Sequence, residues 1–190
     1  MYSFKTYIAA LCASLLAPAV VTSLKFNTTS ISARNGSSTL ECWEFDGPVS
    51  VSSDPSYYDV VNAGLGPISN LTYTYVPPQH EPILHTAPFK QWVFIVTGLT
   101  YFTLPDDPST TALITGGEFG LVFASDTPDV SVRGHASSFP GLTDTICLQM
   151  PVAGDKIPDH RFLHMGQCNA EEMTGLRGMS AVASAARKTR

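Results

Sequence analysis

The stretch "ILHTAPFKQWVFIVTGLTYFTL", Ile83 to Leu104, decides the fold class. Within it "WVFIV" (Trp92 to Val96) and "LTYFTL" (Leu99 to Leu104) are rich in β-branched and aromatic residues, and Gly98 punctuates them, so they read as two consecutive strands. Strand side chains alternate faces. If the segment is extended through its polar start, His85, Ala87, Phe89 and Gln91 point one way, and Thr86, Pro88 and Lys90 the other. An imidazole and an amide then face the apolar interior.

Outward from this stretch the pattern stays that of strands. "STLECWEF" (Ser38 to Phe45) and "SNLTYTYV" (Ser69 to Val76) alternate in polarity, and "TALI", "FGLVFA" and "TDTICLQM" follow downstream. Pro77-Pro78, "PDDP" at 105–108, "GGE" at 116–118, "DTPD" at 126–129 and "PG" at 140–141 are turn chemistry between them. No window of helical length keeps a helical period before the Ala-rich tail after Met173. The apolar runs are too continuous for a sheet wetted on one face, which predicts an all-β domain, either a closed barrel or two packed sheets.

The chain opens "MYSFKTYIAALCASLLAPAVVTSLKF", with Lys5 as a positive n-region, Tyr7 to Leu16 as an apolar h-region and Val21-Thr22-Ser23 as a small-residue exit. This reads as a secretory signal peptide over residues 1–23, too short to span a bilayer, and no later run reaches spanning length. Acceptor sequons at Asn27, Asn35 and Asn70 fit the same secretory route. The expectation is a protein of the secretory lumen or the outside, without a stable membrane anchor. Residues 24–168 form one domain and residues 169–190 a disordered or helical tail. A formal charge of −5 excludes a nucleic-acid partner, because phosphate binding needs clustered Lys and Arg, and the one basic cluster, "ARKTR", ends the tail. Once Cys12 leaves with the signal, Cys42, Cys147 and Cys168 remain. An odd number in an oxidising compartment implies one bridge and one spare thiol. Cys147, in the apolar strand "TICLQM", is expected free, and Cys42 is expected to pair with Cys168.

A second isolated histidine, His135, follows Gly134 and precedes another apolar strand. Two histidines at the mouths of neighbouring strands can build a metal site in a small barrel. His80, in "PPQHEP", is a further candidate ligand from the preceding loop. His160 and His164 share a face only if their segment is helical, and Pro158 argues against that, so they read as one surface and one packed histidine. Glu44 and Asp46 near Trp43 are unassigned acids. No Gly-x-Ser-x-Gly elbow or phosphate loop is present.

These residues resemble the cupins, whose first motif runs His-x-His, Glu and Gly and whose second carries a histidine after a Gly-rich turn. His85 stands where the first histidine belongs, Gln91 where the glutamate belongs, and Gly98 follows with six residues between. His135 is similar to the second-motif histidine, and "HASSFPGLTDTICLQMP" to the same region of fungal quercetinase-like cupins. From Ser38 to Cys168 the chain resembles small secreted cupin-like proteins of filamentous fungi. The resemblance implies a single jelly-roll β-barrel whose working residues are His85, Gln91 and His135, with a small-molecule substrate or ligand; a homodimer stays open. Two departures stand out: Ala87 replaces the second histidine and Gln91 the acid. A neutral amide brings no charge to offset a cation. Two cofactor expectations therefore stand together: one divalent transition metal (Fe, Mn, Cu, Ni or Zn) held by His85, His135 and His80, or none. The corresponding functions are an enzyme that oxidises, isomerises or cyclises a small apolar or aromatic metabolite in secondary metabolism, and a non-catalytic binding protein. Trp92, Phe94, Tyr101, Phe102 and Phe123 are the aromatics that could line such a pocket, with plain core packing the favoured reading for each singly.

Overall fold

A computed structural model describes residues 26–52 and 54–188, so the expected signal peptide and Cys12 lie outside the described residues. The architecture is all-β. The larger sheet has seven strands in the order β13 (His160–Met165), β2 (Ser37–Phe45), β1 (Phe26–Arg34), β10 (Leu121–Ala124), β7 (Gln91–Thr97), β12 (Thr145–Pro151) and β5 (Thr72–Val76). The smaller sheet has four, in the order β6 (His80–His85), β11 (His135–Phe139), β8 (Leu99–Thr103) and β9 (Thr111–Thr115), and β3 (Val49–Val51) pairs with β4 (Val61–Ala63) as a separate ribbon.

Six of these strands escaped the sequence reading: the short β3 and β4, and β1, β6, β11 and β13. β1 is polar, "FNTTSISAR", yet it pairs over nine positions with β2 through a turn in which Asn35 and Gly36 both take positive φ, 52° and 83°. That Asn-Gly pair is a two-residue hairpin signal. β6, β11 and β13 carry histidines, serines or prolines in place of β-branched residues and are strands because neighbouring backbones pair with them. β1 joins β10 in parallel, the other ladders being antiparallel.

The two sheets face one another across a core that takes Ile31 and Leu40 from the larger sheet's first hairpin, Ile95 and Val122 from its centre, and Phe102 and Ile114 from the smaller sheet. The larger sheet is also covered on its outer face, where Trp43, Phe45, Trp92 and Phe123 pack together with Leu65 and Ile157. This divides the candidate pocket aromatics. Trp92 and Phe123 belong to the outer cluster, the Trp92 indole donating to the Leu65 carbonyl at 2.9 Å, and of the five only Phe102 faces the interior cavity. Within that outer layer Glu41 is buried and accepts from Arg34, Thr39 and the Trp43 indole; burial opposes its charge, but these donors outweigh it and hold its pKa below the usual carboxylate range.

Cys42 and Cys168 form the expected disulfide and Cys147 is a buried free thiol. The tail is helical: α1 (Ala170–Met173) starts at an Asn169–Glu172 capping box, and α2 (Gly175–Lys188) packs on the β3–β4 ribbon and β1. Among the described residues no helix is long and apolar enough to cross a membrane.

Candidate functional site

Between the two sheets lies a cavity of about 320 Å³. Its walls are apolar through the middle, with Ile83, Val93, Phe102 and Val122, and polar at named points. Ile83 and His85 line it and are still solvent-exposed, so the opening runs along β6.

Pairing brings the two predicted histidines together. β6 and β11 are antiparallel with His85 directly opposite His135, and their ring centroids are 4.6 Å apart. Gly134 makes this possible. It takes φ +71°, and a Cβ there would run into the carbonyl of His85, so only glycine lets the two strand ends approach. The extended reading through Thr86 to Lys90 is corrected: β6 stops at His85, the chain crosses to the other sheet, Ala87 is buried and Phe89 is exposed. Gln91 opens β7, buried, on the opposite cavity wall, so it faces the histidines from the other sheet rather than from the same strand. His80 lies at the far end of β6, paired with Phe139, its Nδ1 bonded to the Glu81 carbonyl and its ring outside the cavity lining. It does not join His85 and His135.

A residue read from sequence as turn chemistry completes the site. Asp126 is fully buried, and its Oδ2 accepts from His135 Nδ1–H at 2.7 Å and from Ser38 Oγ at 2.7 Å. Ser131 Oγ in turn lies 2.8 Å from Ser38 Oγ and accepts from the Gly134 amide at 3.0 Å. Because an ionised carboxylate only accepts, His135 carries a proton on Nδ1, and Nε2 is the nitrogen that presents a lone pair in the neutral imidazole. The same logic applies to His85, whose Nδ1–H donates to the Ile83 carbonyl at 3.0 Å. Crowding by the cavity wall, and then the neighbouring His135, push the His85 pKa below the ordinary histidine value, against weaker opposing pulls from the Ile83 carbonyl and Asp126. The signal that could have found Asp126 is its place directly after an apolar strand, where a buried carboxylate needs a partner.

The donor set for a metal is thus two imidazoles and a neutral amide, with the adjacent carboxylate already committed to His135 Nδ1. Among the described residues the one group of three clustered metal-type side chains is Cys42, Cys168 and Glu172, and its two sulfurs are joined to each other.

The remaining candidates have other duties. His160 stacks on Trp43 with centroids 3.7 Å apart, and His164 bonds to Glu172 at 2.9 Å. Both are on a strand, as Pro158 suggested. Glu44 is held by the Arg161 guanidinium at 3.1 and 3.0 Å, and Asp46 is exposed. Of the sequons, Asn35 sits in the exposed β1–β2 turn and Asn70 is exposed before β5, whereas Asn27 donates its amide to the Glu172 carbonyl under α1.

No family model, curated protein or solved structure matches this chain.

Proposed function

We propose that this chain is a cupin-like acid–base catalyst that isomerises or cyclises a small, largely apolar molecule by moving a proton, in the secretory lumen or outside the cell. The observation that carries the reading is the buried Asp126–His135 pair opening onto an apolar cavity beside the second imidazole, that of His85. His135 Nε2 takes a proton from the substrate, and the Asp126 carboxylate steadies the imidazolium that forms. His85, poised neutral, relays or returns the proton. Burial of the Asp126 and His135 side chains strengthens the interaction between them. The signal-like leader and the disulfide support the compartment.

Two alternatives have specific support. Ala87 and Gln91, at positions where the cupin motif carries ligands, favour binding without turnover; a divalent ion, if used, would be held by His85, His135 and Gln91 and would polarise a substrate oxygen. One experiment separates the three. The protein is incubated in D2O with a panel of neutral enolisable aryl ketones, and deuterium gain at the acidic carbon is followed by mass spectrometry. The acid–base reading expects exchange that survives chelator and ends in His135→Gln. Loss on chelation, with recovery on adding Mn, Fe, Cu, Ni or Zn, selects the metal; binding without exchange selects the binding protein.

A further inference from the structure

The cavity has a second polar end. Strand register orders its lining: on the smaller sheet His85 faces His135, Ile83 faces Ser137, and Ser137 faces Phe102. Thr100 precedes Phe102 by two residues on the same face of β8, and the antiparallel register brings it level with Phe139 at the opposite end from His135. From His135 to Phe139 along β11 the distance is about 13 Å at the rise of an extended strand. The other sheet runs the same way, with Gln91 at the histidine end and Ile95 and Cys147 at the far one.

Thr100 is 1 % exposed, lines the cavity, and its Oγ1 has no hydrogen-bond partner among the described residues. A buried hydroxyl left unpaired is unfavourable unless something else satisfies it. Between the two ends the wall offers Phe102, Val93 and Val122, with Ser137 and Gln149 as further neutral polar groups. Among the described residues no Lys, Arg, Asp or Glu lines the cavity, so a ligand carboxylate or ammonium would lose its hydration with no opposite charge to meet it.

We infer that the occupant is an elongated, neutral, mostly aromatic molecule that carries a hydroxyl or carbonyl at each end, one placed at His85 and His135 and the other hydrogen-bonded to Thr100 Oγ1. This rests on the reading of the cavity as the functional site and adds the substrate class. It also makes Thr100 a specificity residue: its hydroxyl contributes nothing to the empty fold and is satisfied only by a ligand long enough to reach it.

Calorimetric titration of the full protein with three rigid probes tests the assignment. These are para-hydroxybiphenyl, para,para′-dihydroxybiphenyl and biphenyl-para-carboxylate. The two-ended phenol is expected to bind about tenfold more tightly than the one-ended phenol, the size of one recovered buried hydrogen bond, and the carboxylate most weakly. Thr100→Val keeps the shape, should leave thermal stability equal or higher, and should erase that preference while leaving the one-ended phenol unaffected; Thr100→Ser should retain it. Equal binding of the two phenols by the wild type, a preference that survives in Thr100→Val, tightest binding of the carboxylate, or no binding of any probe overturns the inference. Titration needs no turnover, so failed deuterium exchange with this affinity pattern intact removes only the catalyst, and the reverse result removes only the two-ended ligand.

Discussion

Asp126 gathers His135 and Ser38 on one carboxylate oxygen in a fully buried position, while its other oxygen, Oδ1, has no hydrogen-bond partner among the described residues. Asp126→Asn preserves the shape and removes the charge that stabilises a protonated His135. Deuterium exchange should therefore fall on the order of 10²-fold or more, with binding of the one-ended phenol changed little; equal rates in mutant and wild type would show that the dyad is only structural. The two perturbed histidines make opposite contributions to acid stability. His85 has a lowered pKa, so the unfolded chain takes up more protons below about pH 6.5, and stability falls on acidification until His85 itself protonates in the folded state. His85→Gln should flatten that part of a Tm-against-pH series. His164 has a raised pKa, first through the Met165 carbonyl and then through Glu172, so its stabilisation is complete below about pH 6.5 and fades as pH climbs through its folded value. His164→Gln should lower Tm on the acid side and leave the alkaline side alone. At this scale the sequence showed His85, His135 and Gln91 and hid Asp126 and Thr100, because an aspartate in "DTPD" and a threonine in a strand have ordinary local explanations.

The β6–β11 ladder is the element that turns two separated histidines into a pair, and its close approach depends on Gly134. Gly134→Ala must accept a left-handed φ and displace the β6 backbone, which should cost ~2 kcal/mol or more. Denaturant unfolding reads that loss, and probe titration should show weakened binding even where the variant remains folded. An unchanged midpoint would mean that β6 yields freely and is not what fixes His85. β6 was hard to see because "HEPILH" lacks alternation and holds a proline; as an edge strand it needs only one partner, which tolerates Pro82. β7, by contrast, was legible because a strand covered on both faces must be apolar almost throughout, and β8 because its buried positions alternate in a β-branched and aromatic run.

Across the whole molecule the disulfide ties β2 to the segment after β13, with 126 residues between its cysteines. In the chain-entropy account such a closure contributes ~4–5 kcal/mol. Peptide mapping without reduction should link the peptide containing Cys42 to that containing Cys168. Burial pushes the Cys147 thiol up to about 11, so alkylating reagents should label it only after denaturation; labelling of the native protein would place it at a surface. The cysteine pairing, the all-β class and the two histidines were set by the sequence alone, because redox compartment, strand periodicity and the rarity of imidazoles in apolar runs are local or compositional properties. Which residues meet His135 was decided only in three dimensions. Asp126 comes from beyond β10 and Ser38 from β2 to sit behind His135, His85 comes from β6 and Gln91 from the opposing sheet to line the cavity that His135 faces, and strand register, which carries no mark in any one segment, is what assembles them.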